Sequence, residues 1–133
     1  MFACDCAYPE VAVALQRADI VFAGKAAKVE DLGKSSDSSH RVVVTFQVER
    51  SWKGTVHKIT VMHTRINTAD CDGSVFSEGK QYIVYGYRKE NWNFKDVAPK
   101  ANEVLGTSLC SRTRELKFAE EDIKVLGTGR SPE

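Results

Sequence analysis

With 133 residues and a formal charge of +1, from 19 basic against 18 acidic side chains, the chain has the length of one domain with a real core. Balanced charge gives no reason to expect a nucleic acid or an anionic membrane as partner. No apolar run approaches the roughly 20 residues of a membrane span.

The chain opens Met1-Phe2-Ala3-Cys4-Asp5-Cys6. A small residue before a cleavage point is what signal peptidase accepts. Phe2-Ala3 therefore reads as the end of a removed leader, with Cys4 as the natural first residue. Ordinary leader residues and a lipid-modified Cys4 are the alternatives. Tyr8-Pro9-Glu10 opens a short helix, because proline suits the first helical position and an acid suits the positive end of the dipole. Val11, Ala14, Leu15 and Ala18 then recur on one face.

A strand is expected over 20–25, running on through Ala27 and Val29, with Gly24 marking a bulge or sharp bend. A polar loop follows over 31–39. Residues 41–50 alternate most cleanly, with Val42, Val44, Phe46 and Val48 on one face. Trp52-Lys53-Gly54 reads as a turn and 56–64 as the next strand. Residues 67–74 form a loop holding Cys71. Glu78-Gly79 turns into an aromatic strand over 80–88. Residues 89–93 turn again, 94–98 suit a short strand, and 99–107 read as irregular. After Cys110 an amphipathic helix is expected over 118–126, closed by Gly127.

Helix, about five strands and helix make a mainly β chain. That order suits a closed or partly open five-stranded barrel of the OB type, whereas a sandwich would want about seven strands. There is no internal repeat and no linker, so 1–133 is one domain with its core over about 4–127.

The four cysteines are Cys4, Cys6, Cys71 and Cys110. Cys4 and Cys6 are too close to pair well with each other. This leaves Cys4–Cys71 with Cys6–Cys110, or Cys4–Cys110 with Cys6–Cys71. Both schemes close long loops, each contributing about 4 kcal/mol on a chain-entropy account, and both need an oxidising compartment. A zinc site would show paired Cys-x-x-Cys knuckles, which are missing.

His57 and His63 fall on one expected strand, and with His40 they read as surface or half-buried residues. Tyr82, Tyr85, Tyr87, Trp92 and Phe94, near Arg88, Lys89 and Lys95, could stack bases, but alternate aromatics more simply fill a barrel. Arg112, Arg114 and Lys117 read as a solvated basic cluster beside Glu115, Glu120, Glu121 and Asp122. No nucleophile–base order or glycine-rich phosphate loop stands out. No catalytic set is named, an enzyme is not expected, and no cofactor is implied.

Several motifs converge: Cys4-Asp5-Cys6 before a proline-headed helix, Ile20-Val21-Phe22-Ala23-Gly24-Lys25, and Phe46-Gln47-Val48 leading to Trp52-Lys53-Gly54. Cys71, Gly79-Lys80-Gln81-Tyr82, and Cys110 ahead of a terminal helix complete the set. Together they resemble the netrin-like module, as in the N-terminal domains of the tissue inhibitors of metalloproteinases, in a compact bacterial version. The resemblance spans nearly the whole chain. It implies an OB-type barrel with Cys4–Cys71 and Cys6–Cys110 pairs. It also implies a secreted, periplasmic or cell-surface monomer whose partner is a protein, with a zinc metalloprotease as the sharpest case.

In that family the first cysteine chelates the protease zinc through its free amine and its carbonyl oxygen. The next side chain enters the specificity pocket. Carried over, Cys4 is a metal ligand only in trans, and Asp5 stands where the inhibitors have Thr or Ser. The binding edge is Cys4, Asp5, Cys6, Ala7 and Tyr8, flanked by Thr68, Ala69 and Asp70. The inhibitors' cysteine within the first helix and their second domain have no counterpart here. A surface interaction module without metal chemistry is the other expectation.

Overall fold

A computed structural model describes residues 9–34, 40–54, 56–66, 76–88, 103–105 and 112–132. The chain is mainly β with two short helices. Helix α1 (Val11–Arg17) leads into β1 (Ile20–Lys34) and β2 (His40–Lys53). Strands β3 (Ile59–Ile66), β4 (Gln81–Gly86), β5 (Glu103–Leu105) and β6 (Arg114–Glu115) follow. A 3-10 turn (Leu116–Phe118) then leads into α2 (Glu120–Leu126).

The strands make one mixed sheet in the order β5-β3-β2-β1-β4-β6. Only the β3–β5 pair is parallel. Among the described residues the sheet has six strands rather than the five expected, and no ladder joins its two ends.

Strand β1 organises the rest, since it pairs with β2 along most of its length and with β4 from Ile20 to Lys25. Its ladder with β2 slips between Ala23 and Gly24, where a bulge was expected. The cause is a close approach of backbones: a Cβ on Gly24 would lie 2.7 Å from the Gln47 carbonyl oxygen. Further slips after Ala26 and Asp31 bend β1 more, and bulges of this kind increase local twist.

Two apolar clusters lie on opposite faces. Phe22, Val44, Phe46, Met62, Phe76, Tyr82, Val84 and Val104 fill one. There Phe46 meets Phe22, Phe76 and Tyr82 edge-on at centroid distances of 5.3, 5.9 and 6.4 Å. Such contacts add to the roughly 1.5–3 kcal/mol that burying each large apolar side chain contributes. Ala14, Ala18, Val21, Ile83, Tyr85 and Ala119 form the other, where the helices cover the sheet. Successive residues Ile20, Val21 and Phe22 are all fully buried, because period-2 alternation sends them to the two cores in turn.

Several boundaries differ from expectation. Strand β1 runs to Lys34, into the stretch read as a polar loop, because its ladder with β2 continues to the Lys34–His40 pair. Trp52 and Lys53 remain in β2, and the chain turns only at Gly54, with φ +77°. Strand β3 begins at Ile59, so His57 precedes it and does not share a strand with His63.

Residues 103–105, read as irregular, pair with β3 as β5. The strand expected over 94–98 lies outside the described residues. The terminal helix starts at Glu120 behind its 3-10 turn. Beyond it Arg130 pairs with Ser51, while the Trp52 indole N–H donates to the Gly127 carbonyl at 3.0 Å.

Candidate functional site

The residues expected to form the binding edge, Cys4, Asp5, Cys6, Ala7, Tyr8, Thr68, Ala69 and Asp70, lie outside the described residues. So do Cys71 and Cys110. What is described are the stretches that flank those residues in the chain: the start of α1, the end of β3, and the segment that follows Cys110.

Between the first and the last of these stands a buried polar cluster that sequence reading missed. The Arg112 side chain is 8% exposed and that of Asp122 is 0%. Arg112 Nε donates to Asp122 Oδ2 at 2.9 Å, and Nη2 donates to Oδ1 at 2.8 Å. This two-pronged geometry suits a guanidinium facing a carboxylate. The Tyr85 hydroxyl donates to Asp122 Oδ2 at 2.5 Å. Arg112 Nη1 reaches across to donate to the Pro9 carbonyl at 3.1 Å.

Local structure explains how the cluster assembles. Asp122 lies three residues after Ala119 on the inner face of α2, and Tyr85 lies on the helix-covered face of β4. Arg112 adopts φ +74°, a left-handed backbone uncommon for a residue with a side chain. That kink delivers the guanidinium inward before the chain enters β6, where Arg114 and Glu115 pair with Ile83 and Tyr82. Thr113 adds a further tie, its hydroxyl oxygen accepting the Tyr85 backbone N–H at 3.0 Å.

Electrostatics follow from burial and pairing. Burial pushes the Tyr85 phenol far above its usual range, and the Asp122 carboxylate beside it adds to the shift. For Asp122, burial opposes ionisation, but the hydrogen bonds from Arg112 and Tyr85 outweigh it and hold the carboxyl below its ordinary value. The Asp122 hydrogen bond holds Arg112 more firmly charged than usual. The three groups saturate one another. Their chemistry is to lock Pro9, β4 and α2 together, with no group left over to attack a substrate.

Arg112 is thus not part of a solvated basic cluster. The signal was present in α2, where an acid, Asp122, shares a face with Ala119 and Leu126 and needs a buried cation. The partner lay ten residues upstream, and no periodicity points to it.

Elsewhere, His63 Nε2 lies 3.2 Å from Glu103 Oε2 across the β3–β5 pair, off the direction of a hydrogen bond. Tyr82 and Tyr85 are buried on opposite faces and present no shared stacking platform. Tyr87 is half-buried, while Trp92 and Phe94 lie outside the described residues. Among the described residues no three His, Cys, Asp or Glu side chains gather as metal ligands, and no helix is long and apolar enough to cross a membrane.

Comparison with protein-family models gives no match, and comparison with curated proteins gives none.

Proposed function

We propose that the chain is a disulfide-stapled protein-binding domain of the netrin-like type. Its binding edge is the segment Cys4, Asp5, Cys6, Ala7 and Tyr8 with Thr68, Ala69 and Asp70 beside it. The sharpest form of this reading is a metalloprotease inhibitor in which the Cys4 amine and carbonyl oxygen occupy the open position of a partner's zinc.

The observation that carries the reading is the Arg112–Pro9 hydrogen bond, 3.1 Å long. It fixes the root of the N-terminal segment against a buried ionic cluster. Cys6 stands three residues before Pro9 and Cys110 two before Arg112. At no more than about 3.6 Å of chain per residue, the anchor keeps both cysteines on short leashes from one point. A pre-ordered ribbon loses less entropy on binding.

Strand geometry supports an OB-type barrel as the scaffold. The sheet curls far enough that β4, the strand next to its end, approaches the opposite edge strand β5, since a Cβ on Gly86 of β4 would touch Val104 of β5 at 3.4 Å. The Arg88 Nη1 donates to the Glu103 carbonyl at 3.4 Å. Repeated bulges in β1 supply the bending that closure requires.

The test is mass mapping of the natural protein without reduction, followed by inhibition assays against zinc proteases. A free Cys4 amine, the links Cys4–Cys71 and Cys6–Cys110, and inhibition lost on adding one residue before Cys4 are the expected results. A retained leader or a lipid on Cys4, or equal inhibition by extended and trimmed forms, would overturn chelation. The reading would then pass to a surface interaction module.

A further inference from the structure

Along the β1–β4 ladder the pairs Val21–Tyr85 and Ala23–Ile83 are covered by the helical layer, and the next pair in the row is Lys25–Gln81. Here the cover ends. Lys25, Gly79, Lys80, Gln81, Glu115 and Lys117 line an open hollow of about 510 Å³. Three lysines face one glutamate, so the hollow carries more positive charge than the +1 of the whole chain.

The single acid does not satisfy the lysines. Lys80 Nζ and Lys117 Nζ stand 3.6 and 3.8 Å from the same Glu115 oxygen, longer than a charge-assisted hydrogen bond. Their side chains are 51% and 65% exposed, and Lys117 Nζ also lies over the Phe118 ring at 5.1 Å, on the open side of the hollow where a stronger acceptor can draw it. Lys25 has no ion-pair partner among the described residues. The walls are otherwise fixed. Gly79 N–H donates to the Ala26 carbonyl at 2.8 Å, Ala26 N–H donates to the Lys80 carbonyl at 2.9 Å, and Gln81 Nε2 donates to Glu49 at 2.7 Å.

We infer that this hollow binds a multivalent oxyanion of the phosphate type, held by Lys25, Lys80 and Lys117, with Glu115 giving up its two lysines to the incoming group. A compact group with several negative oxygens matches three lysines lining one concave surface, two of them already sharing a single carboxylate oxygen. A monovalent carboxylate would do no better than the Glu115 already there. This site shares no residue with the proposed N-terminal binding edge and stands or falls independently of it.

The test is calorimetric titration of the intact protein with inorganic pyrophosphate at low salt. A second arm uses long-chain polyphosphate, the same oxyanion carried on a polymer. Saturable binding that weakens steeply with added salt is expected. Lys25→Gln and Lys117→Gln should each weaken it about fivefold, while Lys58→Gln on another part of the surface leaves it unchanged. Binding of pyrophosphate assigns a free small anion as the ligand; binding of polyphosphate alone, with the same lysine dependence, assigns a chain-borne group. Absence of binding in both arms, or an equal loss in Lys58→Gln, overturns the proposal. Lys117, on the exposed wall, carries the test if the Lys25 variant fails to fold.

Discussion

The Tyr85 hydroxyl donates to the Asp122 carboxylate at 2.5 Å, at a point where neither residue is exposed to water. The contact joins the last full strand of the sheet to the terminal helix, and the same carboxylate holds Arg112. One acid therefore ties β4, the Arg112 segment and α2 together.

Removing that acid leaves a guanidinium buried without its partner. Asp122→Ala should cost about 3–5 kcal/mol, because a lone buried charge is far worse than a buried pair. Replacing both members, Asp122→Leu with Arg112→Met, should recover much of the loss. Thermal unfolding of the single and double variants checks this, and a double variant no better than Asp122→Ala would show that the ion pair is not the cause.

Tyr85→Phe removes one hydrogen bond but leaves both guanidinium contacts in place. The expected cost is about 1–3 kcal/mol, that of a buried acceptor short of one donor. Chemical denaturation measures it directly. A cost as large as that of Asp122→Ala would mean that the phenol, rather than Arg112, holds the carboxylate.

The same contact predicts a loss of stability at both ends of the pH scale. The native Asp122 carboxyl titrates below its ordinary 3.8. As pH falls past about 4, the unfolded chain takes up a proton that the native chain refuses. The stabilisation is complete above that point and is lost as pH falls through the native value. Tyr85 is raised above its ordinary 10.0, so its contribution is complete below about pH 10 and is lost as pH rises further. Melting temperatures across pH should show both limbs. Asp122→Asn should flatten the acid limb and Tyr85→Phe should shrink the alkaline one. Tyr87, also raised by burial, should keep part of the alkaline limb in place.

Gly24→Ala should destabilise the domain by about 1–3 kcal/mol, since its Cβ would meet the Gln47 carbonyl at 2.7 Å and neither backbone has room to yield. Gly79→Ala offers a control, because nothing lies within 4 Å of a Cβ there and its cost comes only from φ +89°. A Gly24→Ala variant as stable as the parent would mean that the β1 and β2 backbones part to admit the methyl, against the crowding argument.

On the proposed pairing, Cys6→Ser and Cys110→Ser should each cost several kcal/mol by freeing the unfolded chain. Unchanged melting temperatures for the oxidised variants would count against that link.

The strands most legible in the sequence were those governed by alternation. Val42, Val44, Phe46 and Val48 showed β2 at once, and the bend at Gly24 was expected where it occurs. Short strands were not legible. Glu103–Leu105 and Arg114–Glu115 are too brief for periodicity and exist because β3 and β4 offer free edges. The continuation of β1 to Lys34 was hidden for a related reason. Its polar residues read as loop, and the ladder with β2 carries them. Arg112 and Asp122 were seen only as charges, since their pairing depends on a left-handed kink and a helix face brought together by the fold.

The hydrogen bond from Arg112 to Pro9 spans 103 positions, nearly the full length of the chain. Contacts between such distant residues close the largest loops, and loop-closure entropy predicts that they form late, once the β1–β2 hairpin and its neighbours have shortened the gap. Release can run in the opposite order. Helix α1 can open away from α2 while the hairpin stays paired, an opening that needs less energy than global unfolding. Amide exchange should then be faster in α1 than at the centre of β1, making the helical cover the first layer to loosen under stress.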